Sequence, residues 1–277
     1  MTQTLRQAIA EHRPLVAPSV YDGISALLVN KLGFKAAYIG SYATGATKYG
    51  VPDIGYIGLE DMADQVRRLA PVVDLPIIVD GEGGWGNPLH VSRAVQVLER
   101  AGAAAVHIED HEFGKHITKN PTILNLSKAA DKIKAAVDSR ESDQFMVIGR
   151  TDSSNSEGQD AAVERLLAYQ DAGADGLFVA GHLDSDHHAQ LKAAARVPIF
   201  TVDFPGLSAA EHDADVVLYF ALSHAAAISG MRTALEALAS EGSTMGVSDA
   251  LESVQEFDVF LGIDQARMSA RAYGLVE

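Results

Sequence analysis

Three ionic clusters stand at the ends of short apolar runs, Asp80-Gly81-Glu82, Glu109-Asp110 and Arg150-Thr151-Asp152, and a further carboxylate, Asp53, stands in a loop. Carboxylates gathered at one place repel each other unless a cation sits among them. The chain has no cysteine, so oxygen donors remain, and these suit a hard divalent ion, Mg²⁺ or Mn²⁺, held partly through water. Asp80, Glu82, Asp53 and Glu109 are the candidate metal ligands. Any one acidic residue after a strand is equally well explained as a cap on the next helix; the recurrence is what points to a site. The glycines at 81, 83, 84 and 86 lack the lysine of a P-loop and the spacing of a dinucleotide fingerprint. Their better use is to bring backbone, with Trp85 and Gly86, close to a bound metal and substrate.

The elements that must position these groups repeat. An amphipathic stretch, a small-Gly-small turn and a short apolar run recur as LGFKAAYIGS (32–41), AGAAAVHIED (101–110) and AGADGLFVAG (172–181), with ADVVLYF (214–220) as a variant. The glycine closes a helix in the left-handed conformation, and the apolar run is a strand covered on both faces. Adding LVAP (15–18), PIIVD (76–80), FMVIGR (145–150) and PIFTV (198–202) gives eight strands, nearly all separated by stretches of 3.6-residue periodicity. That is the pattern of an α/β fold closed as a (β/α)₈ TIM barrel, whose catalytic groups stand at the C-terminal ends of the strands; an open doubly wound sheet is the alternative. Residues 1–277 read as one domain, in which EGSTMGVSD (241–249) separates the barrel from a C-terminal helical segment at about 250–273.

The chain of 277 residues carries 37 acidic and 22 basic side chains, a formal charge of −15. Such a field disfavours nucleic acid as a partner, while a local cation still allows a small anionic substrate. No run of 18 apolar residues and no signal-peptide pattern is present, so no membrane partner and a cytoplasmic location are expected.

The segments PSVYDGISA (18–26), GVPDIG (50–55), DGEGGWGN (80–87) and IED (108–110) resemble, in order and spacing, the isocitrate lyase/phosphoenolpyruvate mutase superfamily, whose strand-three motif reads Asp-x-Asp-Thr-Gly-Tyr-Gly-Asn. The likeness covers about residues 14 to 240. It implies that Asp80 is the nearest metal ligand, with Asp53, Glu82 and Glu109 on its water shell. It places Tyr38, Gly40, Ser41, Tyr42 and Ala43 in the loop that binds a substrate carboxylate, and Arg150 as the group that neutralises an enolate. Dimers or tetramers with a helix exchanged between subunits are expected from the same likeness, so the C-terminal segment is read as helix-swapped and the assembly as a homo-oligomer, a homotetramer in the fullest form.

The chain also departs from that family. The lyases' loop motif Lys-Lys/Arg-Cys-Gly-His is here Phe113-Gly114-Lys115-His116-Ile117-Thr118, so Lys115 aligns with the first lysine while Ile117 replaces the proton-carrying cysteine. Ala180-Gly181 and Val202-Asp203 stand where the lyases have distal-carboxylate ligands. Lys115 and His116 are the catalytic candidates on the loop, and His182, after strand six, is a substrate-binding candidate by position. Asp203 and Ser223-His224 are further candidates, whereas His187-His188 reads as a solvated pair. The leading expectation is a Mg²⁺-dependent C–C lyase or decarboxylase acting on a small 2-oxo or 2-hydroxy carboxylate through an enolate. A hydrolase or phosphonomutase acting on oxaloacetate, phosphonopyruvate or phosphoenolpyruvate, and a metal-binding pseudoenzyme, are the alternatives.

Overall fold

A computed structural model describes residues 3–112, 114, 117 and 122–275. Contacts divide the chain into two compact units, Met1–His224 and Ala225–Glu277.

The first unit is the expected barrel. In chain order it holds α1 (Leu5–Glu11), β1 (Leu15–Pro18), α2 (Gly23–Lys31), β2 (Ala37–Ile39), α3 (Ser41–Tyr49), α4 (Leu59–Leu69), β3 (Ile77–Asp80), α5 (Pro88–Ala101) and β4 (Ala105–Glu109). It continues with α6 (Leu126–Ser139), β5 (Met146–Thr151), α7 (Gln159–Asp171), β6 (Gly176–Val179), α8 (Ser185–Ala194), β7 (Ile199–Val202) and β8 (Val216–Tyr219). All strand pairs are parallel, β1 pairs with β8, and a bridge between Ser19 and Tyr38 brings β1 and β2 together. The link from β7 to β8 is a 3₁₀ turn, Ala209–His212, instead of an α-helix.

Local sequence explains the starts and stops. Asp22 accepts from the Ser25 amide at 2.8 Å and caps α2, and Asn87 caps α5 with Pro88 in its first turn, so both residues of the motifs above serve helix initiation. Gly102 ends α5 at φ 108°.

Period-2 alternation separates two cores. Ile77, Val79, Val106, Ile108, Val147 and Leu177 face outward against the helices. Tyr38, Ile78, Ala105, Met146, Ile148, Phe178, Phe200 and Leu218 face inward, joined by Leu5, Ala8 and Ile9 of α1. Full burial contributes about 1.5–3 kcal/mol for each large apolar side chain, and this packing holds the strand ends that carry the ionic groups.

The second unit contains most of α9 (Leu222–Glu241), a 3₁₀ stretch at Met245–Ala250, α10 (Val254–Phe260) and α11 (Ile263–Ala272). Ile228, Met231, Leu235 and Leu238 of α9 and Met268 of α11 are exposed in the single chain. No helix among the described residues is long and apolar enough to cross a membrane.

Candidate active site

The inward register that places Ile78, Ala105 and Ile148 in the core carries Asp80, His107, Glu109 and Arg150 into its upper layers, because each lies an even number of residues further along its strand. Glu109 and Arg150 are direct register partners across β4 and β5.

Arg150 is the hub. Its Nε donates to Asp152 Oδ2 and its Nη2 to Asp152 Oδ1, both at 2.8 Å, and Nη1 lies 3.2 Å from Glu109 Oε2. Its Cζ stands 5.3 Å over the Phe178 ring. Burial works against the guanidinium charge, but Asp152 and Glu109 together hold its pKa well above the ordinary value. His111 Nδ1 sits 3.3 Å from Glu109 Oε1. Burial opposes the imidazolium there, yet Glu109 and Asp152 raise its pKa overall. Glu109, His111 and Asp152 form the one trio among the described residues whose ligand atoms lie within 4.8 Å of each other. Arg150 already spans both of its carboxylates, so that trio is first an ion-pair network.

Asp80, 3% exposed, is oriented from three directions. Ser41 Oγ donates to its Oδ2 at 2.9 Å, the Ser41 amide approaches the same oxygen at 3.3 Å, and the Glu82 amide donates to Oδ1 at 2.9 Å. Ser41 Oγ also reaches Asp53 Oδ1 at 3.4 Å, linking the two carboxylates. Behind them, Tyr38 Oη lies 3.1 Å from Nε2 of the fully buried His107, whose Nδ1 is 3.7 Å from Asp80 Oδ1. Glu82 is buried and holds φ 48°. Gly81 is required by space, since a β-carbon there would meet His107 O at 2.7 Å. Asp53, Asp80, Glu82 and Glu109 do not close into a direct three-ligand cage. Their all-oxygen chemistry fits a hard divalent cation held by one carboxylate and through water by others.

Comparison with known proteins settles the family. The model of the phosphoenolpyruvate phosphomutase family matches residues 5–239. The 2-methylisocitrate lyase of Shewanella oneidensis is 31% identical over 95% of this chain and 94% of its own length. The chain belongs to the phosphoenolpyruvate mutase/isocitrate lyase superfamily of enzymes. Two solved structures are similar throughout: oxaloacetate acetylhydrolase in complex with 3,3-difluorooxalacetate, with TM-score 0.89 and 28% identity over 99% of this chain and 97% of that one, and phosphonopyruvate hydrolase in complex with oxalate and Mg²⁺, with TM-score 0.86 and 28% identity over 97% of both.

Within this superfamily barrel the residues singled out from sequence fall into several places. Tyr38, Tyr42, Asp53, Asp80 and Arg150 line one cavity of about 420 Å³. Glu82, Trp85, Gly86 and Glu109 line a second, of about 510 Å³, where Trp85 Nε1 donates to Ile57 O at 2.9 Å. Gly40 is the N-cap of α3 and offers no side chain to its first turn, which holds Ser41, Tyr42 and Ala43. A β-carbon at Gly40 would meet Tyr38 Cε1 at 2.9 Å. His182 lines a separate cavity of about 570 Å³ with Phe204 and His212 and is not brought to Arg150. Lys115 and His116 lie outside the described residues, as do Phe113, Thr118 and Lys119.

Sequence reasoning missed a buried support behind the site. Asp110 Oδ2 accepts from Thr151 Oγ1 at 2.6 Å and Tyr169 Oη at 2.7 Å, and Oδ1 accepts from the Asp152 amide at 3.2 Å. Arg165 Nη1 lies 3.5 Å from Asp110 Oδ2. Burial raises the Asp110 carboxyl above its usual range against the pull of these donors. Lys132, on α6, reaches Gly83 O at 2.8 Å; burial lowers its pKa, with Glu109 and Asp110 opposing. His107 carried a signal, a polar residue at an inward position of an apolar strand. Lys132 and Tyr169 carried none, because helical residues of those types usually end in solvent.

Proposed function

We propose that the chain is a divalent-cation-dependent lyase or decarboxylase that breaks a C–C bond in a small 2-oxo or 2-hydroxy carboxylate. From a 2-oxo acid the bonding pair stays on the 2-oxo fragment as an enolate and the other carbon leaves as CO₂ or a carbonyl compound; from a 2-hydroxy acid the hydroxyl gives up its proton and becomes the 2-oxo group, the bonding pair leaving on the other fragment as its enolate. In both cases a proton then closes the carbon that holds the pair. The observation that carries this reading is Arg150, fixed by Asp152 and Glu109 and lining the same cavity as Asp80 and Asp53.

The substrate carboxylate would settle against Arg150 and the uncapped first turn of α3, where backbone N–H groups favour an anion. Arg150 then faces the oxygen on which negative charge develops, and its two carboxylate partners spare it any reorganisation. Asp80 would hold the cation directly and Glu82, Asp53 and Glu109 its waters; bound there, Mg²⁺, or Mn²⁺ in its place, supplies polarisation of the 2-oxo group. Proton delivery is assigned to Lys115 or His116, outside the described residues. A dimer or tetramer with exchanged C-terminal helices, residues 1–277 acting as one functional unit, and a cytoplasmic setting complete the proposal.

The test is product analysis with Mg²⁺ and a panel of oxaloacetate, alkyl-substituted malates, phosphonopyruvate and phosphoenolpyruvate. A 2-oxo acid released with CO₂, or from a malate with a second carboxylic acid, supports the lyase reading. A second reading, hydrolytic cleavage, draws on the likeness to oxaloacetate acetylhydrolase and requires oxalate and acetate from oxaloacetate. Phosphate release points to P–C hydrolysis, and thermal stabilisation without any product would sink both readings.

A further inference from the structure

The inward register divides the mouth of the barrel by chemistry. From β2 to β5 come all the ionic groups of the cavity wall, Asp53, Asp80, Arg150 and Asp152, with Tyr38, Pro52 and Ile54 among them; from β6 to β8 the wall is Phe178, Ala180, Val202 and Phe220, with no charged group among the described residues. The apolar half is closed by an aromatic group, for Tyr42 packs on Phe220 with ring centroids 6.2 Å apart and on His224 at 5.1 Å. Burial lowers the His224 pKa, so that ring is favoured neutral. His182 follows β6 but lines another cavity. Among the described residues, the only cation lining the 420 Å³ cavity is therefore Arg150, on the polar side.

From this division we infer that the acid accepted by the site ends in a hydrocarbon group. Its carboxylate and 2-oxo oxygen lie toward β3–β5, and a short alkyl tail lies against Phe178, Val202 and Phe220. The inference rests on the proposed reading that the site takes a 2-oxo acid, and adds which 2-oxo acids it prefers. A second carboxylate at the tail end would lose its hydration against apolar side chains with no compensating cation in the described wall, whereas each methylene placed there is removed from water at a gain of about 0.8 kcal/mol.

Calorimetric titration of the full chain in Mg²⁺ with pyruvate, 2-oxobutyrate, 2-oxovalerate and 2-oxoglutarate separates these cases. The last two share a five-carbon chain and differ in the terminal group. Affinity should rise about fourfold per added methylene from pyruvate to 2-oxovalerate, and 2-oxoglutarate should bind at least tenfold more weakly than 2-oxovalerate. Ala180→Lys should reverse the order of that last pair. If pyruvate binds but 2-oxoglutarate equals or exceeds 2-oxovalerate, the tail assignment is overturned while the proposed chemistry survives. If none of the four binds, the 2-oxo acid reading falls and the tail assignment with it.

Discussion

Asp152 grips Arg150 with both carboxylate oxygens, each at 2.8 Å, while Arg150 keeps a third nitrogen for Glu109. This two-point clamp fixes the plane of the guanidinium, which a lysine ammonium cannot reproduce. Arg150→Lys should lower kcat/KM by about 10²-fold, and Asp152→Asn by about tenfold with most of the loss in kcat, measured by steady-state kinetics on whichever acid the panel identifies. An unchanged kcat in both variants would remove Arg150 from the chemistry.

Calorimetry on Asp80→Ala addresses the cation. If Asp80 is the direct ligand and Ser41 and the Glu82 amide aim it, this variant loses tight Mg²⁺ and Mn²⁺ binding, and Ser41→Ala weakens it by about tenfold, the range seen when an orienting partner of a ligand is removed. Retained affinity in Asp80→Ala would move the cation elsewhere.

Tyr169→Phe removes one donor from the buried Asp110 carboxyl. A loss of about 1–3 kcal/mol follows from leaving that acceptor short of a partner, visible as a Tm lower by several degrees. The accompanying fall in kcat should be larger than in a control core substitution such as Leu166→Met, because the Asp110 network also holds the Asp152 amide. Equal kcat in the two variants would make the network structural alone.

The adjacent His187 and His188 should titrate with midpoints on opposite sides of the ordinary imidazole value in an NMR pH series. Asp184 raises the His187 pKa above the ordinary imidazole value, whereas burial lowers that of His188. For His187 the protonated form is favoured by folding, so its contribution is complete below pH about 6.5 and is lost as pH rises through the higher folded value. For His188 the sign reverses: its contribution is present above pH about 6.5 and is lost as pH falls from there through the lower folded value. Asp184→Asn should return His187, and leave His188, where they would otherwise stand; coincident titration of both rings would contradict the assignment.

Sedimentation should show an oligomer, since Ile228, Met231, Leu235 and Leu238 are exposed along α9 in the single chain and such apolar surface usually meets a partner. Deleting residues 250–277 should reduce its order; a monomer at micromolar concentration would refute exchange of the C-terminal helices.

Much of the barrel was legible because its signals are local. Glycine-closed helices and two-sided apolar runs name eight strands, and even spacing along each strand names the residues that share the mouth, as with Ile78 and Asp80 or Ile148 and Arg150. What sequence could not supply is lateral distance. Nothing in the spacing tells that Arg150 stands between Glu109 and Asp152, so the carboxylates read as a cation cup resolve partly into an ion-pair network. Nor does it tell that His182, though at a strand end, lines a different cavity from Arg150. The turn at 209–212 was also invisible, because the β7–β8 link is too short to display a helical period.

Glu82 holds a left-handed backbone at φ 48°. A residue with a β-carbon gives up about 1–2 kcal/mol in that conformation, and glycine would relieve it. Selection for heat tolerance alone would thus drive position 82 toward glycine, while, under the proposed role of Glu82 in the cation's water shell, selection for turnover would keep the glutamate. Melting temperature and catalysis should trade against each other at this one position, and a variant library sorted by each in turn would enrich opposite residues there.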